Sequence, residues 1–408
     1  VHILVLSHYY PPEVNAPASR IAENARAWVA VGHRVTVVTC APNHPHGTLY
    51  PGYRNRWHHR ERIDGVDVVR VWTWLAANEG FLPRIANYLS YMLSVAVQRW
   101  RLPKADIVLS TSPQFFCGLA GYLVKRGRPW VLEIRDLWPE SIIAVGAMKR
   151  GVAIRALEAV ERFAYRRADM VVAVTDSFVG HIRARRPRGR IEVIKNGVDL
   201  AHFRHADPVA VAAFRARYGL GDRFVASYVG THGMAHGLDT VLDAAHRLRH
   251  RDDIVFLLVG AGAQRDRLIA ERDRRGLSNV VMLGQQPKSE MPVIWSASDA
   301  AMVLLRDLKT FESVIPSKMF EAMALQVPMI LGVRGEAERL MRDGGAGIAI
   351  PPEDAAALGD AVERLADDRA LGDAMGASGR RFVAAQFDRN KLATRYLALL
   401  ASLADSGR

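Results

Sequence analysis

Short runs of Val, Ile and Leu recur along this chain and read as strands buried on both faces of a sheet. In the first half they fall at residues 2–7, 34–39, 66–74, 106–111, 130–134, 170–174 and 191–194. In the second half they fall at 224–229, 254–259, 280–283, 300–305, 329–333 and 347–350. Helical patterns separate them, and strands alternating with helices predict parallel, doubly wound α/β sheets. Between the two series, Asn196–Asp199 reads as a turn, and the polar stretch 201–222 reads as the connection between domains. Residues 354–404 are helical in pattern. At 408 residues the chain suits two domains. The expected division is 1–198, 199–390 and a terminal helix over 391–408. Such domains bind ligands at the carboxyl ends of their strands, so a cleft between them is the natural active site.

Charge separates the halves. Residues 1–198 hold 28 Lys and Arg against 15 Asp and Glu, which accounts for the whole net charge of +13. A basic first domain attracts anionic membranes, nucleic acid or phosphorylated substrates. The only two cysteines, Cys40 and Cys117, do not form a disulfide scaffold and fit a reducing compartment. The apolar run at 2–7 is too short for a signal-peptide core, so a cytoplasmic location is expected. No run is long and apolar enough to span a bilayer. The nearest, 85–100, is broken by Asn87, Ser90, Ser94 and Gln98. It reads either as a helix covering the first sheet or as a membrane-facing helix aided by Trp72, Trp74, Phe81, Trp100 and nearby arginines.

The densest chemistry lies in VIPSKMFEAMALQVPMILGVRGE, residues 314–336. Ser317 can cap a helix whose free N–H groups attract phosphate. Lys318 adds a full charge there, and Glu321, one turn on, can accept hydrogen bonds from a vicinal diol such as a ribose. The plainer reading is a surface helix whose Glu321 complements the dipole. After the first strand of the second half comes GTHGMAHGL, where Gly230 and Gly233 let backbone amides approach a phosphate. GAGAQRDRL follows another strand with Gly260 and Gly262, but Arg265 occupies the place of a third glycine, so the dinucleotide pattern is incomplete. In the first half, Asn15 can cap a helix that Pro17 helps to start, with Arg20 a turn further to meet an acceptor phosphate. Arg135 and Asp136 stand at a strand's carboxyl end, where Asp136 can orient a hydroxyl or take a proton. No D-x-D triplet occurs. His44, His46, His58 and His59 lack the accompanying ligands of a metal site and read as loop residues, so a metal-independent reaction is expected.

PSKMFEAMA followed by PMILGV resembles the donor-nucleotide site of retaining glycosyltransferases of family 4, which have the GT-B fold. YYPPEVNAPASR, RDLWPES, NGVD, GTHGMAHGL and GAGAQRDRL extend the likeness in order over nearly the whole chain. It looks closest to bacterial exopolysaccharide and O-antigen enzymes of the colanic-acid and fucosaminyltransferase type. The resemblance implies two Rossmann-like domains facing a cleft and a last helix that crosses back to the first. It makes Glu321 the ribose clamp and sets Gly260 and Gly262 beside the base or ribose. Gly284 and Gln285 would line the base pocket. Three departures stand out. Thr231 or His232, and His236, occupy places that commonly supply an Arg and a Lys to the diphosphate, so Lys318 and Arg306 would have to compensate. Ser313 stands where the first of two paired glutamates is expected, leaving Glu312 as the nearest carboxylate for the transferred sugar. No histidine lies near Asp136.

These readings favour a hexosyl- or N-acetylhexosaminyltransferase. It would move a sugar from a nucleotide diphosphate, expected to be UDP, to a lipid-diphosphate-linked or oligosaccharide acceptor, with retention, by front-face attack and without another cofactor. Contact with an anionic membrane would run through the basic domain; nucleic acid is not expected. The alternatives are an epimerase or hydrolase of the same fold, and a non-catalytic nucleotide-binding subunit of an assembly complex.

Overall fold

The computed structural model describes residues 1–13, 15–44, 46–76, 81–112, 115–140, 143 and 151–406. Val14, Pro45 and Ser141, which belong to motifs singled out above, fall outside the described residues, as does the side chain of Phe81. The chain divides into two compact units, Val1–Lys195 with Asn390–Arg408, and Asn196–Arg389.

The first unit holds β1 (His2–Leu6), β2 (Arg34–Cys40), β3 (His58–Ile63), β4 (Val66–Val71), β5 (Ile107–Thr111), β6 (Trp130–Ile134), β7 (Met170–Ala173) and β8 (Arg190–Val193). They form one sheet in the order β3-β4-β2-β1-β5-β6-β7-β8, parallel except for β3. The second unit holds β9 (Phe224–Val229), β10 (Ile254–Val259), β11 (Val280–Leu283), β12 (Ala300–Leu304), β13 (Met329–Gly332) and β14 (Gly347–Ala349). Its order is β11-β10-β9-β12-β13-β14, all parallel. Helices cover both faces, so alternate residues of one strand enter different cores. Leu4 and Leu6 pack on one side of the first sheet, Ile3 and Val5 on the other. In each sheet the strand order reverses once, between β1 and β5 and between β9 and β12. Such switch points open a crevice beyond the carboxyl ends, where ligands bind.

Two expectations change, and a third is refined. Residues 201–222 are not a connection: Phe203, Phe214 and Leu220 are buried in the second unit's core, and Asp207 caps a helix at Pro208–Arg217. Its polar outer face concealed it. His58 and His59 lie in β3, an antiparallel edge strand joined to β4 by Asp64 and Gly65, both at positive φ. An edge strand facing water lacks the continuous apolar run of an interior one. Residues 354–404 are three helices, the last spanning Arg389–Ser406. From Asn390 onward the chain packs within the first unit, where Trp28 donates its indole N–H to the Ala393 carbonyl at 2.9 Å.

Candidate functional site

The second unit gathers its distinctive side chains at the β9–β12 switch point. Beyond β9, Gly230 is followed by His232 and His236, whose loop ends in a 3-10 turn over Met234–His236. Gly260, beyond the neighbouring strand, lies so near that a Cβ there would sit 1.9 Å from the Gly230 carbonyl oxygen. A Cβ on Gly262 would sit 2.5 Å from the His232 carbonyl oxygen. Both glycines have φ near +150°, so neither the space nor the backbone accepts a side chain. The two loops are also stitched together by His232 N–H to the Ala261 carbonyl and Gln264 N–H to the His232 carbonyl, each 2.9 Å.

Lys318 reaches this point from the short helix Lys318–Ala324. Its Nζ is buried and makes no hydrogen bond. It lies 3.7 Å from the centre of the Tyr228 ring, and 2.7 Å from where a Cβ on Gly230 would be. Burial lowers its pKa from 10.5 to about 7, with Glu321 opposing the shift. The Tyr228 hydroxyl donates to the Thr231 carbonyl at 2.8 Å, so one ring supports both the cation and the loop. His232 is fully buried, with neither ring nitrogen partnered. Burial, then Arg265 and Lys318, hold its pKa down to about 4; His236 is likewise depressed to about 4. Both rings are neutral at pH 7; that of His232 offers one N–H, whereas His236 donates its Nδ1–H to the Leu304 carbonyl at 3.4 Å and leaves Nε2 an acceptor. The Arg265 Nε is also buried without a partner. A cation and several unsatisfied buried donors at one point are costly unless a ligand, and here an anionic one, completes them.

Ser317 does not cap this helix: it is itself in the helical region and its side chain makes no cap bond. With only seven helical residues the dipole is weak, so the charge comes from Lys318. Glu321 accepts the indole N–H of buried Trp295 through Oε2 at 3.2 Å, and burial raises its pKa. Gly284 is half-buried and its carbonyl accepts from Gln286, while Gln285 is exposed. Arg306 is not a free cation for this point: it pairs with Glu353 at 3.2 Å, and both line a cavity with Gly233, Gln264 and Arg267. Glu312 is exposed in the 3-10 segment Lys309–Ser313. Thr231 is exposed and Gly233 half-buried.

In the first unit, Asn15 caps the helix Ala16–Ala30 by accepting the Ala18 N–H at 2.9 Å. Arg20 does not face an acceptor. Its guanidinium is buried, bonded to Glu133 at 3.0 Å and to the carbonyls of Ile194 and Lys195, so it organises the core beneath the sheet's carboxyl edge. Arg135 donates its backbone N–H to Ser112, and its Nη1 is buried without a partner; burial lowers its pKa to about 10. Asp136 is half-buried in the turn after β6, where Trp138 stacks on Phe115. Glu13 proves to be a structural clamp, accepting the backbone N–H groups of Tyr10, Asn43 and His44. His8, at the β1–β5 switch point, is buried against Tyr9, Tyr88 and Tyr91, and burial lowers its pKa to about 3. Tyr228, Trp295 and His8 were not singled out from the sequence, because each matters only through neighbours far along the chain.

Comparison with known proteins agrees with this architecture. Residues 15–197 match the glycosyl transferase 4-like domain, and residues 212–382 match the glycosyl transferases group 1 family. The chain is therefore a glycosyltransferase of the GT-B fold. It is 26% identical over 335 residues to the putative colanic acid biosynthesis glycosyl transferase WcaI of Escherichia coli K12, covering 79% of this chain and 81% of that one. Among solved structures it is similar to a sucrose-phosphate synthase from Thermosynechococcus elongatus, with a TM-score of 0.78 at 20% identity over 99% of both chains. Anabaena HepE, in complex with UDP and glucose, superposes with a TM-score of 0.73 at 18% identity over 98% of this chain and 99% of that one.

Proposed function

We propose that this glycosyltransferase moves a sugar from a nucleoside diphosphate, UDP in the first instance, to a lipid-diphosphate-linked or oligosaccharide acceptor in bacterial surface polysaccharide synthesis. The likeness to WcaI supports the pathway class, and a UDP-bound relative of the same fold supports the nucleotide. One observation carries the reading. A buried lysine without a hydrogen-bond partner stands among glycines and neutral histidines at a switch point, which is a ready place for a diphosphate. Lys318 neutralises the β-phosphate and His232 donates its N–H, while His236, tied to the Leu304 carbonyl, would donate to the diphosphate only once protonated. Glu321, fixed through Oε2 by Trp295, keeps Oε1 for a ribose hydroxyl.

Transfer then follows the leaving group. The bond between the sugar's anomeric carbon and the β-phosphate oxygen breaks, and Lys318 takes up the charge that develops on that oxygen. An acceptor hydroxyl attacks the same face, and its proton passes to the departing phosphate, which gives retention without a carboxylate nucleophile. No metal ion is required in this scheme. Asp136 and Glu312 are the carboxylates assigned to hydroxyls, Asp136 of the acceptor and Glu312 of the transferred sugar. The basic first unit is assigned contact with an anionic membrane that carries the acceptor.

Thermal shift against UDP, GDP, ADP, dTDP and NADH tests the donor assignment. A ligand at about a hundred times its dissociation constant stabilises by roughly 2.7 kcal/mol. A rise with UDP that Glu321→Ala cuts to half or less is expected. No response to any nucleotide would reject the donor site.

A further inference from the structure

The helix Phe81–Val97 covers the first sheet with Tyr91 and Val95, which are buried, yet its other side is unusually apolar. Leu93 is 58% exposed, Val97 67% and Trp100, just beyond the helix, 72%. Their spacing of four and three residues puts them on one stripe. Two more exposed tryptophans flank the same helix. The Trp74 N–H donates to Ser90 and the Trp57 carbonyl accepts from Gln98, each tying a half-exposed ring to it. These are the exposed tryptophans among the described residues, and all border one helix.

Beside the stripe is a pocket of about 260 Å³ lined by Arg99, Lys104, Lys125, Arg126 and Arg128, with no carboxylate in its wall. Residues 81–105 contain no Asp or Glu. Lys125 has a partner in Asp169 at 3.5 Å, but the Arg126 Nη2 is buried with none. Arg126, at a positive φ of 48°, has its guanidinium 4.7 Å from the centre of the Trp100 ring, and that of Arg99 lies at 4.6 Å. An exposed amphipathic indole in contact with two guanidiniums suits neither a protein core nor open water. It suits the boundary between headgroups and acyl chains, where tryptophan lies flat and arginine reaches phosphate.

We propose that this surface docks the enzyme on an anionic bilayer, with Trp100, Val97 and Leu93 entering the acyl boundary and the five-cation pocket taking a lipid phosphate. No described helix is long and apolar enough to cross a membrane, so this is attachment to one leaflet. The inference rests on the membrane contact proposed above and is independent of the donor site, which lies in the other unit.

Flotation with vesicles of phosphatidylcholine, with and without phosphatidylglycerol, tests it. The full chain is expected to bind the mixed vesicles and to leave them at high salt, with a blue shift in tryptophan emission. Val97→Asp and the double variant Arg126→Glu, Arg128→Glu should each lower binding roughly tenfold or more, since each basic residue at such a surface contributes about 1 kcal/mol. UDP binding, measured in parallel, should stay at the wild-type value, which shows that the variants fold and separates this result from any failure of the donor site. Equal binding to neutral vesicles, no binding to either, or variants that bind like wild type would each overturn the proposal. So would stabilisation by soluble glycerol phosphate without vesicle binding, which would make the pocket a site for a free phosphate.

Discussion

Lys318 holds a buried amino group with no hydrogen-bond partner. Its pKa of about 7 lies below the ordinary 10.5, so between those values the unfolded chain holds a proton that the folded chain does not. Stability without ligand should therefore rise with pH across that window, because the unfolded state binds more protons there. Lys318→Met should flatten that rise and stabilise the free protein at neutral pH by on the order of 1 kcal/mol, while transfer collapses. Urea unfolding at several pH values checks the first part, and release of nucleoside diphosphate checks the second. Glu321→Ala removes a buried carboxylate and leaves the Trp295 N–H unpaired. It should weaken UDP binding by about 1.5–3 kcal/mol, read by calorimetry. Lys318 and Glu321 were legible in the sequence because they sit three positions apart on one helix start. Tyr228 and Trp295 were not, because their roles arise only when β9 and a distant helix meet that segment. Arg20 misled for a related reason. A cation near a helix start looks available until Glu133, on β6, is seen to hold it.

Among the elements, the paired loops after β9 and β10 set the geometry of the site. Gly260 is the closest point, and Gly260→Ala would drive a methyl into the Gly230 carbonyl. A loss of about 1–3 kcal/mol in stability is expected, with UDP affinity falling as the Gly230–His236 loop is displaced. Gly276→Ala, at a positive-φ turn with open space around it, serves as the control for backbone strain alone. Interior strands were readable because burial on both faces writes a continuous apolar run into the chain. β3 escaped because it is an edge, although Asp64-Gly65 is the turn signal that marks its hairpin. The helix Pro208–Arg217 escaped because only Phe214 is buried within it.

At the scale of the whole molecule, the chain leaves its first unit after Lys195 and returns to it at Asn390. The returning helix places Tyr396 edge-on to Trp28 at 5.6 Å and buries Leu400 beside Ile3, Val5 and Ile21. Leu400→Ala should therefore cost about 2–5 kcal/mol in urea unfolding yet leave UDP binding under native conditions unchanged, because the donor site lies in the other unit. The same separation fits the proposed roles, with the excess of basic residues in the first half set against a membrane-borne acceptor and Lys318, a buried cation of the second unit, against the donor. That buried cation is the central claim, and proton-linked calorimetry of UDP binding tests it most directly. Titrations at about pH 8 in buffers of different ionisation enthalpy should show proton uptake on binding, as the diphosphate restores the charge of Lys318, and Lys318→Met should show none. Binding without proton uptake, or with the same uptake in the variant, would contradict the assignment of Lys318 to the diphosphate.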